Sequence, residues 1–227
     1  NVTTQAFLAF GGLTWDDVER VDFPGYNAMW TGVVNGQVDA AYATTVSGPT
    51  RKLEASPRGI FWPPAPHDDD GCWQRMAKVV PFMQKHVATR GAAISVENPH
   101  EGATYPYPIL ITLASQEPQI VHDLAKAIHL HYDEYKTADP GSIGWAMERQ
   151  NFQWVVPYHD GSVRYLKSIG VWSDEAEAHN QRLIERQAVL AAAWQAHKAA
   201  DPEDFVEAWM QRRADALVAA GFEPVWR

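Results

Sequence analysis

Apolar positions recur three and four residues apart in several stretches of the chain, which is the helical period, and crowd into short unbroken runs in others. The first residues predict a helix from Thr3 or Thr4 to Phe10, with Ala6, Leu8, Ala9 and Phe10 on its apolar face and Gly11–Gly12 as its stop. Thr14 then starts a short helical turn in "TWDDVERVDFPG", followed by an expected strand through Val21 and Phe23 that ends at Pro24–Gly25. "YNAMWTGVVNG" reads as a helix with Ala28, Met29, Val33 and Val34 inward and Gly36 after its end. The run "VDAAYATTV" reads as a strand buried on both faces, so that strand, helix and strand make a βαβ crossover.

Further along, "RGIFWPP" predicts a short strand, and "GCWQRMAKVVPFMQKHV" a helix that Pro81 breaks or kinks. The apolar end of "YPYPILITLAS" is the best strand candidate of the second half. It leads into an amphipathic helix, "EPQIVHDLAKAIHLHYDEYK", with Ile120, Leu124, Ala127, Ile128 and Tyr132 at helical spacing. A short helix is expected over residues 162–170, and almost all of 173–226 is helical, with one break at "ADPEDF". The expected class is α/β, with a parallel or mixed sheet flanked by helices over residues 1–172 and a helical extension over 173–227.

Charge and composition narrow the function. With 19 basic residues against 28 acidic ones and a net charge of −9, the chain has no cationic cluster to displace counterions from a phosphate backbone, so nucleic acid is not an expected partner. A single cysteine excludes an internal disulfide and a thiolate metal cage. No apolar run approaches the ~20 residues of a membrane span. Ten tryptophans and eight tyrosines exceed the usual needs of a core, and aromatic side chains commonly line sites for ring-bearing ligands.

Three stretches carry residues of catalytic or metal-binding type. "PHDDDGCW" lacks the alternating oxygens and glycine turn of a calcium loop and reads as a solvated acidic turn. His122 and His129 share a helix face with no acid at metal-binding spacing between them, and read as ordinary amphipathic positions. His159 and Asp160 pair as a dyad would, but no nucleophile-elbow serine or glycine-rich phosphate loop completes a mechanism. No catalytic residue, cofactor or metal is expected.

The order of the pieces "LAFGGLTWDDVERVDFPGYNAMWTGVVNGQVDAAYATTVSGPT", "YPYPILITLAS" and "YHDGSVRYLKSIGVW" resembles the TAXI family of solute-binding receptors, which serve tripartite TRAP transporters. The resemblance spans Asn1 to Trp172. It implies a type II periplasmic-binding-protein lobe, a periplasmic or extracytoplasmic location, and capture of a small organic acid or amino acid for the transporter's membrane subunits. Family members carry a longer N-terminal region and end soon after the last motif, so the expectation is a chain lacking most of a first lobe and gaining C-terminal helices.

In such a lobe, ligands lie beyond the carboxyl ends of the strands, near helix N-termini. That places Thr3 and Thr4 at a helix start, Tyr42, Thr44 and Thr45 at a strand end, and Trp30, Tyr105 and Tyr107 around them as candidate ligand-binding residues. Asp39, at the opposite end of the strand, reads as a cap or turn acceptor after Gly36. The alternatives are a ligand-sensing or interaction module without a transport role and, behind it, a small hydrolase or metalloenzyme. The C-terminal helices carry Phe205, Trp209, Phe222 and Trp226, more large side chains than one hairpin is expected to bury, which makes them a candidate homodimer surface.

Overall fold

A computed structural model describes residues 2–106, 109–139 and 141–225. Of the described residues 51% are helical, and the one sheet among them is a two-stranded antiparallel ribbon, so the chain is α/β only in a loose sense and helices carry the cores. It divides into two compact units, Asn1–Tyr105 and Pro106–Arg227.

In the first unit, α1 (Val2–Phe10) packs on α4 (Asp70–Val79), burying Ala6 and Phe10 against Trp73 and Met76. Gly12 ends α1 at φ 76°, a conformation that costs glycine little, and this lets the Leu13 amide reach back to the Leu8 carbonyl at 2.8 Å. Arg75 of α4 donates to the Ala9 and Phe10 carbonyls at 3.0 and 2.8 Å, satisfying groups the helix end leaves open. Thr14 caps a 3-10 turn over Trp15–Asp17 in a reciprocal box with Asp17. A second core joins α2 (Tyr26–Val34) to α3 (Gly48–Glu54) through Trp30, Val33 and Leu53. The ribbon pairs β1 (Gln84–Ala88) with β2 (His100–Thr104), His86 opposite Gly102.

In the second unit, α5 (Pro118–Leu130) leads to the single turn α6 (Tyr132–Tyr135) and packs on α7 (Asp160–Ser168). Glu117 caps α5, accepting from the Gln119 and Ile120 amides. Val163 and Leu166 of α7 join Trp172 and Ala176 in a core closed by Phe152 and Tyr158. The long α8 (Asp174–Ala200) and α9 (Phe205–Ala219) form a hairpin, turned where Asp201 takes the left-handed conformation at φ 39°. His197, fully buried, stacks on Trp194 and lies within 4.3 and 5.5 Å of the Phe205 and Trp209 rings. Arg182 covers the Phe222 ring at 4.3 Å. The hairpin thus accommodates Trp209 and Phe222 against its own side chains and leaves Phe205 36% exposed; Trp226 lies outside the described residues.

The expected sheet does not form. Residues 21–23, 38–45, 59–62 and 109–113 are irregular rather than strands, so there is no βαβ crossover and no parallel sheet among the described residues. A strand is stabilised by a ladder to a neighbour, and an apolar run supplies none by itself. The structure also adds a helix at the glycine–proline break, α3, with Pro49 in its first turn where a missing amide costs nothing. It places "QKHV" in β1, beyond the Pro81 break that separates it from α4. Asp39 is exposed and makes no hydrogen bond among the described residues, so it is not the cap expected after Gly36.

Candidate functional site

The first unit brings three of the eight candidate residues, Trp30, Tyr42 and Tyr105, into one aromatic cluster. Tyr42 lies on the irregular segment after α2, with its ring 5.8 Å from Phe7 of α1 and its hydroxyl near that of Tyr105, just past β2. The Tyr105 ring meets Phe82 edge-on at 5.5 Å. Burial, helped by Tyr105 and by the nearby Tyr26, pushes the Tyr42 phenol well above its ordinary value, so it stays a neutral hydrogen-bonding group at any physiological pH.

Tyr26, at the start of α2, shares a 2.7 Å hydrogen bond with Ser47 Oγ and sets its ring 6.3 Å from Trp30. Trp30 is 4% exposed, and its indole Nε1 has no hydrogen-bond partner among the described residues. A buried donor without an acceptor costs roughly 1–3 kcal/mol. Trp30 shares its core with Val33 and Leu53, and Ala41 and Ala43 pack against that core.

The threonines separate. The Thr45 hydroxyl donates to the Arg90 carbonyl at 2.9 Å, and the Thr45 carbonyl accepts from Ala92 at 3.0 Å, which pins this segment to the loop after β1. Thr44 is half-buried with its hydroxyl open. Thr3 is buried at the start of α1 and already engaged, while Thr4 is half-buried. Tyr107 lies outside the described residues. Sequence reasoning passed over Arg90, whose exposed side chain has no ion pair among the described residues, and Tyr26 and Phe7, which extend the ring cluster. The tyrosine and phenylalanine sat in helices read only for their caps and apolar spacing, and the arginine in a stretch with no periodic pattern.

The residues with catalytic or metal-binding potential are placed in structural roles. Asp69 caps α4 by accepting from the Cys72 amide at 3.0 Å, and Asp70 pairs with Lys85 at 3.1 Å. His67 Nε2 lies 2.9 Å from the Gly102 carbonyl, tying the acidic turn to the ribbon. His159 caps α7 by accepting from the Gly161 amide at 3.1 Å. His129 Nδ1 meets the Tyr165 hydroxyl at 2.6 Å, and His122 meets Asp123 at 2.8 Å. Among the described residues no group of three histidine, cysteine or acidic side chains is placed to hold a metal ion.

No protein-family model, curated protein or solved structure matches the chain.

Proposed function

We propose that this chain is the ligand-capturing part of a TAXI-like extracytoplasmic receptor, taking a small organic acid or amino acid with an aromatic or apolar portion. In this reading it performs no chemistry and delivers the solute to the membrane subunits of a TRAP transporter. The observation that carries the binding role is the buried Trp30 indole without an acceptor, set in the Tyr26, Tyr42 and Tyr105 cluster. Rings supply an apolar wall, and the Thr44 hydroxyl and the Arg90 cation, neither with a side-chain partner among the described residues, supply hydrogen bonds and charge for a carboxylate. The transport role, the location and the type II binding-protein class rest on the motif order described above, not on the two-stranded sheet.

The test is a thermal-shift screen of phenylpyruvate, phenylalanine, glutamate and succinate against the whole chain. A ligand that binds only the native state raises stability with its concentration, so a saturable rise is expected for a ring-bearing acid. Arg90→Ala should weaken that ligand about tenfold, the effect of losing one charge-assisted hydrogen bond. Absence of a shift with every acid at millimolar concentration would sink the reading.

A further inference from the structure

Asn35, the C-cap residue of α2, is the one asparagine of the chain's six that a glycine follows. It is exposed, and its side-chain amide has no hydrogen-bond partner among the described residues. Gly36 takes the left-handed conformation, φ 73°, and closes the helix: its amide donates to the Val33 carbonyl at 3.1 Å, and the Gln37 amide to the Gly32 carbonyl at 2.8 Å. The space that a Cβ on Gly36 would fill holds a guanidinium, with Arg58 Nη1 2.7 Å from that point. Arg58 is exposed and pairs with no acid among the described residues.

We propose that Asn35 is a site of self-modification, at which the Gly36 nitrogen attacks the Asn35 side-chain carbonyl carbon and, with the help of the Arg58 cation, the folded chain converts this amide into an acid. The bond from Gly36 N to Asn35 Cγ forms, the Cγ–Nδ2 bond breaks, and ammonia leaves with the proton of the Gly36 amide. Water then opens the cyclic imide at either carbonyl, giving aspartate or, where the backbone comes to run through Cγ, isoaspartate. Glycine lets the two groups approach, since no Cβ crowds the attacking nitrogen. The carbonyl end of a helix opposes negative charge, and the Arg58 cation beside Gly36 offsets this as charge develops on the nitrogen and then on the oxygen of the tetrahedral intermediate. The attack requires the Gly36 amide to leave Val33, and a terminal turn opens at little cost where it is exposed, as Asn35, Gly36 and Gln37 all are. Other asparagines lack these conditions. Pro99 after Asn98 has no N–H to lose, and Asn180 is 3% exposed and accepts from the Tyr158 amide. Isoaspartate lengthens the backbone before Gly36 and so breaks the register of the Gln37–Gly32 bond, ahead of the segment that packs Val38, Ala41 and Ala43 on the Trp30 core.

This modification is independent of ligand capture, and its test does not involve a ligand. The whole chain is held folded at mildly alkaline pH and followed by intact mass, peptide mapping and isoaspartate methyltransferase labelling. The peptide that holds Asn35 should gain the mass difference between an amide and an acid, at a rate proportional to hydroxide, ahead of every other asparagine. Asp70 and Asp160 also precede glycines and can yield isoaspartate, but without a mass gain, so the map keeps them apart. Asn35→Gln should abolish the gain, because closing the larger ring is much slower. Arg58→Ala should slow the folded chain severalfold with unchanged far-ultraviolet circular dichroism, since its side chain has no partner to lose, and should leave the rate in urea as it was, where no fold holds the cation near Gly36. A folded chain that keeps Asn35 intact while the urea-unfolded chain loses it, a mass gain spread evenly over the other asparagines, or a folded-state rate that Arg58→Ala leaves unchanged would overturn the proposal.

Discussion

Thr44 and Thr45 are adjacent and of one chemistry, yet their hydroxyls have different surroundings. The Thr45 hydroxyl closes a bond to Arg90 that joins the segment after α2 to the loop after β1, a link across forty-five residues. Thr45→Val keeps the volume and removes that bond, so it should lower stability by about 1 kcal/mol in urea unfolding. Thr44→Val should change stability by less than about 0.5 kcal/mol, because no intramolecular partner is lost. If Thr44 serves the ligand, calorimetric titration of the ring-bearing acid should show the affinity fall only in that variant. Trp30 is tested separately. Trp30→Phe deletes a donor whose burial is uncompensated, and this offsets much of the lost ring volume, so apo stability should stay within about 1 kcal/mol while affinity drops. A stability loss of several kcal/mol with unchanged affinity would make Trp30 a packing residue alone.

Where α7 crosses α5, contact is so close that a side chain is excluded. A Cβ on Gly161 would meet the Pro118 carbonyl and stand 2.9 Å from the His122 amide and the Val121 Cβ. Gly161→Ala should therefore destabilise by about 2 kcal/mol, overriding the roughly 1 kcal/mol that alanine ordinarily gains in a helix. A stabilised variant would refute the close approach. At the start of α8, Glu177 accepts from Lys167, Trp172 and Gln181, and these bonds hold its carboxyl below its ordinary 4.5. The depressed value belongs to the folded state, so the stabilisation is complete above pH 4.5 and fades as pH falls through the folded-state value. Acid titration of unfolding should show that loss, and Glu177→Gln should flatten it. Elements of this kind were legible in the sequence because their signals are local: Thr14 at the start of a turn, and Gly12 and Gly36 after helix ends. Strands were not, because a run such as "VDAAYATT" states an appetite for a ladder without naming a neighbour. The candidate site was legible to the same degree. Tyr42, Tyr105 and Trp30 stood out by type, Tyr26 did not, and the Thr45–Arg90 link is a long-range contact that no spacing foretells.

At the scale of the whole molecule, the cores are separate. Ala6, Phe10, Trp73 and Met76 form one and Trp30, Val33 and Leu53 another, both within the first unit, while Val163, Leu166, Trp172 and the α8–α9 hairpin belong to the second. Two-state unfolding requires a cooperative core, and units with their own cores unfold with their own midpoints when their stabilities differ. Scanning calorimetry should therefore resolve two transitions, with the calorimetric enthalpy exceeding the van't Hoff value. Every residue of the aromatic cluster lies before Pro106, so a bound acid couples to one of them only. Raising the ligand to about a hundred times its Kd should add roughly 2.7 kcal/mol to the first unit's stability and leave the second transition in place. Gly161→Ala supplies the assignment, since it must lower the midpoint of the second unit and not of the first. A ligand that moved the transition lowered by Gly161→Ala would place its site outside the cluster, whatever its affinity.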